Sequence, residues 1–178
     1  YVLHHRVEVE LASIRAAGYP TTLAELDAWY PTPTGPNAAD VYQLAFDARV
    51  EDEALEDRLP GFSREVDFPA PGEPLPADMA EAMEAYVALN APALALLTEA
   101  ATIPECRFPV DLTQGLDALL PHLRELRRCA WLLALRATVE AERGQGEQAA
   151  NSIKAILALA NSLEGDPTLM PFLVRIRM

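Results

Sequence analysis

The chain has 178 residues, 51% of them hydrophobic and 7% aromatic, and carries 27 acidic against 14 basic residues for a formal net charge of −13. That length suits one compact domain or a few stacked hairpins sharing a core, and the charge argues against a surface built to attract nucleic acid or anionic lipid. No run of about 18 uncharged apolar residues occurs, so no segment reads as a membrane-spanning helix.

Leu3, Val7, Leu11 and Ile14 fall on one helical stripe already under way at Tyr1, and Gly18 followed by Pro20 ends this first helix. His4 and His5 are adjacent, point about 100° apart on a helix and cannot easily share a metal, so they read as a solvated pair. Thr22-Leu23-Ala24-Glu25 is a capping box that opens a short helix ending near Tyr30. The prolines of 31–36 break regular structure, and Asn37 restarts it as an N-cap. Val41, Leu44, Ala45 and Ala48 give the next helix its inward side, with Leu55 as an extension. Glu51, Asp52, Glu53, Glu56 and Asp57 read as a solvated acidic face, because the spacing of a calcium loop is missing.

Residues 59–76 carry five prolines and two glycines, the composition of an excursion strapped to the surface by Phe62, Val66 and Phe68. A helix over 77–89 follows, with Met79, Met83, Tyr86 and Val87 inward. Asn90 is expected to cap the next helix, Pro92 stands in its first turn, and Leu94, Leu97 and Ala101 face the core. Residues 103–110 form a second Pro-containing extended segment. Asp111 or Thr113 then begins a helix expected to kink or restart at Pro121.

The stretch 121–163 reads as a helical hairpin, the organising core of the chain, with its turn at Arg143-Gly144-Gln145-Gly146. Cys129 to Leu135 is apolar around nearly the whole circumference, so the preceding helices must cover it, and residues 1–178 are expected to form one domain. In the second helix Ala149, Ala150, Ile153, Ile156, Leu157, Ala160 and Leu163 form the expected buried stripe, opposite Glu147, Asn151, Lys154 and Asn161. The helical pattern of 172–178 runs to the end without a cap, which suggests a fragment of a longer chain. With no period-2 alternation, the fold class is all-α: antiparallel helical hairpins packed as one domain, with two Pro-rich extended loops.

The last third resembles a tetratricopeptide unit. Leu133, Ala137, Ala149, Ile153 and Ile156 take its packing positions and Gly144 its turn, while Glu140 replaces the usual tyrosine and Asn161 stands where the final proline would be. Across most of its length, through residues 23–31, 37–40, 106–111, 120–123, 167–169 and 173–175, the chain resembles an uncharacterised group of bacterial proteins. Those proteins look like helical ectodomains behind an N-terminal hydrophobic anchor. The resemblance implies a cell-envelope location, with the membrane reached only through a segment absent from this chain, and it implies no activity; a cytoplasmic location is the other reading.

Cys106 and Cys129 lack the neighbours of a zinc or redox motif; a disulfide between them is one alternative and two inert thiols the other. No nucleophile elbow, phosphate loop, dinucleotide fingerprint or zincin motif is present, so the sequence implies no catalytic residue, cofactor or metal. Arg124, Arg127, Arg128, Arg136 and Arg143 crowd one helix. Most are expected to pair with carboxylates of neighbouring helices, and Arg136 must be paired if buried. A sharper reading groups Arg107, His122, Arg124 and Arg128 as a cradle for an anion or a peptide end. Two functions follow as expectations: a noncatalytic helical interaction or scaffold module for an unidentified protein or peptide, or a small-molecule or peptide-binding domain. The second would have its pocket under the 59–76 loop, lined by Phe62, Phe68, Trp29 or Tyr30.

Overall fold

The computed structural model describes residues 2–70 and 72–176, with the side chains of residues 2–4 and 116 outside the described set. The expectations on Leu3 and His4 as side chains therefore lie outside the described residues. Nine α-helices and one short 3-10 segment occur, and no strand, among the described residues. The chain is all-α.

The first helix, α1 (Val2–Ala16), ends before Gly18, whose φ of 84° suits a residue without a Cβ. It packs on no other helix among the described residues, and Val7 and Ile14 of its apolar stripe are exposed. The Arg15–Glu25 ion pair, at 3.4 Å, ties it to α2 (Leu23–Trp29). The expectation that the whole N-terminal part wraps the hairpin is corrected for this helix. Helix α2 starts with the capping box, in which Thr22 Oγ1 accepts from Glu25 N–H and Glu25 accepts from Thr22 N–H.

Asn37 caps α3 (Ala38–Ala48), which buries Ala38, Ala39, Tyr42, Ala45 and Phe46. Leu44, expected inward, is exposed because the packing face is set by the aromatic pair Tyr42 and Phe46. The helix does not reach Leu55; Asp52 starts a separate turn, α4 (Glu53–Glu56). Helices α5 (Ala77–Leu89) and α6 (Ala91–Ala100) are separated by Asn90 alone. Asn90 makes no side-chain cap. It is fully buried, its Oδ1 accepting from Val50 N–H at 2.8 Å and its Nδ2 donating to the carbonyls of Val50 and Tyr86 at 3.1 Å. A buried amide must find partners, and the unpaired backbone of Val50 offers a better pair than the helix end.

The chain then passes through a 3-10 segment (Leu112–Asp117), restarts at Pro121 as α7 (Pro121–Glu142), turns at Gly144 with φ 70°, and returns as α8 (Gly146–Asn161). A last helix, α9 (Leu169–Ile176), follows. Helix α7 is central, packing on α3, α5, α6, α8 and α9. Cys129, Ala130, Leu132, Leu133 and Leu135 are buried, as an all-round apolar helix requires.

Helix α8 is turned relative to the expectation by about one residue, roughly 100°. Ala149, Ser152, Ala155 and Leu159 face inward, whereas Ile153 and Leu157 are 51% and 58% exposed. Small side chains let α8 approach α7 closely. A polar bridge then fixes the rotation: Arg136 Nε donates to Ser152 Oγ at 2.8 Å, and Ser152 Oγ donates to Glu140 at 2.5 Å. Arg136 is thus paired where it is buried, with Glu140 at 3.8 Å. Leaving that buried hydroxyl unpaired would cost about 1–3 kcal/mol, comparable to the burial of one more aliphatic side chain.

Candidate functional site

The start of α7 has an unusual charge order. Its first turn contains no acid, its N-cap residue Leu120 offers no side-chain acceptor, and Arg124 and Arg127 follow within two turns. Cations belong at the other end of a helix, since the N-terminus already carries the positive end of the macrodipole; each misplaced charge costs a few tenths of a kcal/mol, up to about 1. Arg124, Arg127, Arg128 and Trp131 stand at i, i+3, i+4 and i+7, so they share one face.

That face borders a cavity of about 710 Å³. The 59–76 excursion supplies Gly61, Phe62 and Arg64, residues 118–120 supply one edge, and Met170 and Val174 of α9 supply another. Gly61 is required there: its φ is +82°, and a Cβ would lie 2.2 Å from the Trp131 ring. Phe68 stacks on the same indole at 6.4 Å between centroids, and Phe62 meets Tyr86 edge-on at 5.1 Å. Trp131, expected in the closed core, is half-buried and floors this cavity.

Four arginines and one carboxylate, Glu56, line the cavity. Glu56 is already engaged, accepting from Tyr86 Oη at 2.6 Å and lying 3.8 Å from Arg49. Arg128 is held by Glu51, and Arg124 stands 4.0 Å from Glu125. Glu51 and Glu125 are themselves bound by Arg49, at 2.6 and 3.0 Å, whose side chain is 4% exposed. Burial opposes the Arg49 charge, but the hydrogen bonds to Glu51 and Glu125 outweigh it and hold its pKa above the ordinary value. The Arg49 bond keeps the Glu51 carboxyl below its usual range. The acidic stretch 51–57 is therefore partly a clasp across α4, α5 and α7 rather than a solvated face. Arg64 and Arg127 have no ion-pair or hydrogen-bond partner among the described residues.

The four residues of the sequence-derived cradle separate. Arg124 and Arg128 reach the cavity. Arg107 lies elsewhere, donating to the Tyr30 carbonyl and Thr32, pairing with Asp27 at 3.5 Å and covering the Tyr30 ring at 4.6 Å. It clamps the end of α2. His122 points into the core, stacked on Phe108 at 4.4 Å and 8°. Burial lowers its pKa to about 4, against a smaller opposing effect of Asp166. The separation is helical geometry, since residues 122 and 124 project about 200° apart. Arg127, by contrast, shared the stripe of Arg124 and Trp131, and that spacing was available in the sequence. Nothing local marked Arg64, Met170 or Val174.

A second cavity, of about 460 Å³, lies between 31–33, 103–106 and the end of α8. Its Glu105 is occupied by the backbone N–H groups of Thr34 and Gly35, at 2.8 and 3.2 Å. Cys106 on its wall and Cys129 in α7 are free thiols, both pushed up to about 12 by burial and so unreactive. The disulfide alternative is thereby corrected. No group of three or more metal-ligating side chains occurs among the described residues, and no described helix is long and apolar enough to cross a membrane.

No family model, no curated protein and no solved structure matches this chain.

Proposed function

We propose that this chain is a noncatalytic helical recognition module of a bacterial envelope protein, and that it grips an acidic segment of a protein partner in the cavity between the 59–76 excursion, α7 and α9. One observation carries the reading. In a chain with 27 acidic and 14 basic residues, Arg64 and Arg127 have no ion-pair partner among the described residues and border a cavity of mixed polar and apolar lining. Structural arginines in so acidic a chain readily find carboxylates, as Arg49, Arg128, Arg136 and Arg143 do. Guanidinium groups bind carboxylates by paired, charge-assisted hydrogen bonds. The envelope location rests on the resemblance to anchored bacterial ectodomains.

The test is an array of short peptides with acidic, neutral and basic interiors, probed with the wild-type chain and with the R64E/R127E double variant. Capture of acidic peptides by the wild type alone, with unchanged circular dichroism of the variant, supports the module. Equal capture by both proteins refutes it. Arg128→Glu is the poorer choice, because it also removes the partner of Glu51.

A further inference from the structure

Tyr30 Oη, His122 Nε2 and Asp166 Oδ2 are sealed in the interior without a hydrogen-bond partner among the described residues. Their residues are at most 9% exposed and come from the end of α2, the first turn of α7 and the turn between α8 and α9. The other oxygen of Asp166 is engaged, accepting from Thr168 N–H at 2.8 Å and from its hydroxyl at 2.7 Å. Distant in sequence, the three groups meet around Phe108. Its ring stacks on His122 at 4.4 Å, and its N–H lies close to the Tyr30 phenol without the alignment of a hydrogen bond. Gly165, next to Asp166, comes so near the Tyr30 ring that a Cβ there would sit 3.6 Å from it. The Asp166 charge is felt by both neighbours: it adds to burial in pushing the phenol up to about 12, and it opposes burial at the imidazole.

Buried polar atoms are costly to leave bare, and native interiors pair them. These three do not bond one another. A metal ion is poorly served, because the buried phenol keeps its proton and leaves only two ligating groups. A water molecule suits the set, since an internal water takes about three polar partners. We propose that Tyr30, His122 and Asp166 enclose a binding site for one water molecule, which ties the end of α2 to the start of α7 and to the turn before α9. The hydrogen count fixes its orientation. The water accepts from Tyr30 Oη–H and donates its two hydrogens to Asp166 Oδ2 and His122 Nε2. The imidazole is then neutral and protonated at Nδ1, whereas the other tautomer would leave one water hydrogen without an acceptor. The site lies apart from the cavity lined by Arg64 and Arg127, and neither depends on the other.

A high-resolution crystal structure of the chain should show one water within roughly 2.6–3.2 Å of all three atoms. Direct bonds among the three, or no water between them, overturn the site. Tyr30→Phe supplies a test by sign, read from urea titration. Deleting a bridged hydroxyl should lower the folding equilibrium constant roughly fivefold, whereas deleting an orphaned one raises it. A rise or no change refutes the proposal. The effect of Tyr30→Phe should shrink when His122→Phe is also present, because one water serves both side chains. An equal effect in the two backgrounds means that they share no partner, and the site falls. Long-range proton–nitrogen NMR should find His122 protonated at Nδ1, and protonation at Nε2 contradicts the hydrogen count.

Discussion

The two Pro-containing excursions of this chain, 59–76 with five prolines and 103–110 with two, both interrupt the helices and end in opposite places. The second threads the interior: Phe108 and Val110 are buried, as is Leu112 just beyond, and Phe108, at 2% exposure, is stacked between Tyr42 at 6.3 Å and His122 at 4.4 Å. The first stays outside after Pro60, laying Gly61, Phe62 and Phe68 against Tyr86 and Trp131. Proline content therefore states only that a segment is not helical. What places it is whether its apolar side chains can reach a gap between helices or only the rim of one. A segment inside the core carries global stability, whereas one on the rim is free to carry recognition.

That contrast is open to direct attack. The largest effect is expected from Phe108→Ala, which should cost about 3–5 kcal/mol as for other buried aromatics, a large share of an ordinary domain's stability. Urea titration should show one cooperative transition at a much lower midpoint. If only a local transition shifts, the second excursion is not part of the core.

The next effect concerns acid. The folded pKa of His122, about 4, lies below its ordinary 6.5, so the unfolded chain binds the extra proton between those values. Stability from the neutral buried ring is complete above pH 6.5 and is lost as the pH falls toward 4, by on the order of 3 kcal/mol. His122→Phe keeps the stack on Phe108 and removes the proton. Its stability between pH 7 and pH 4.5 should fall less than that of the wild type, and parallel curves would contradict the assignment.

Gly61→Ala probes the other excursion. The added Cβ would meet the Trp131 ring at 2.2 Å, so the strand of loop must lift or the indole must turn. The expected cost is about 1–3 kcal/mol, with cooperative unfolding retained and a red shift of Trp131 emission in a Trp29→Phe background. Unchanged emission would mean that the loop does not rest on Trp131. Smallest of all, R64Q and R127Q should change stability by less than about 0.5 kcal/mol, as exposed substitutions do. A larger loss would assign these arginines a structural role and remove the argument for recognition.

Much of the architecture was legible before the structure. The capping box at Thr22, the N-cap at Asn37, the 77–89 helix and the Gly144 turn are local devices, each written within a few residues. The need to cover Cys129–Leu135 on all sides was equally plain, because no partial stripe exists there to suggest one partner. The cavity was legible only in part. Arg124, Arg127, Arg128 and Trp131 announce one face by spacing, but Arg64 and α9 arrive from distant points of the chain.

By itself, then, the sequence determined the all-α class, most helix boundaries and the central place of the 121–163 hairpin, since these follow from periodicity and capping along short stretches. Tertiary structure decided the rest. It turned α8 on the Arg136–Ser152–Glu140 bridge, drew Asn90 away from a helix end to the backbone of Val50, and sent Arg107 and His122 to separate structural tasks. For Ser152, Asn90 and Arg107 a polar group chose partners from residues distant in sequence, and the cost of leaving such a group unpaired exceeded the local preference that the sequence displayed, whereas His122, whose Nε2 has no hydrogen-bond partner among the described residues, was placed by its stack on Phe108.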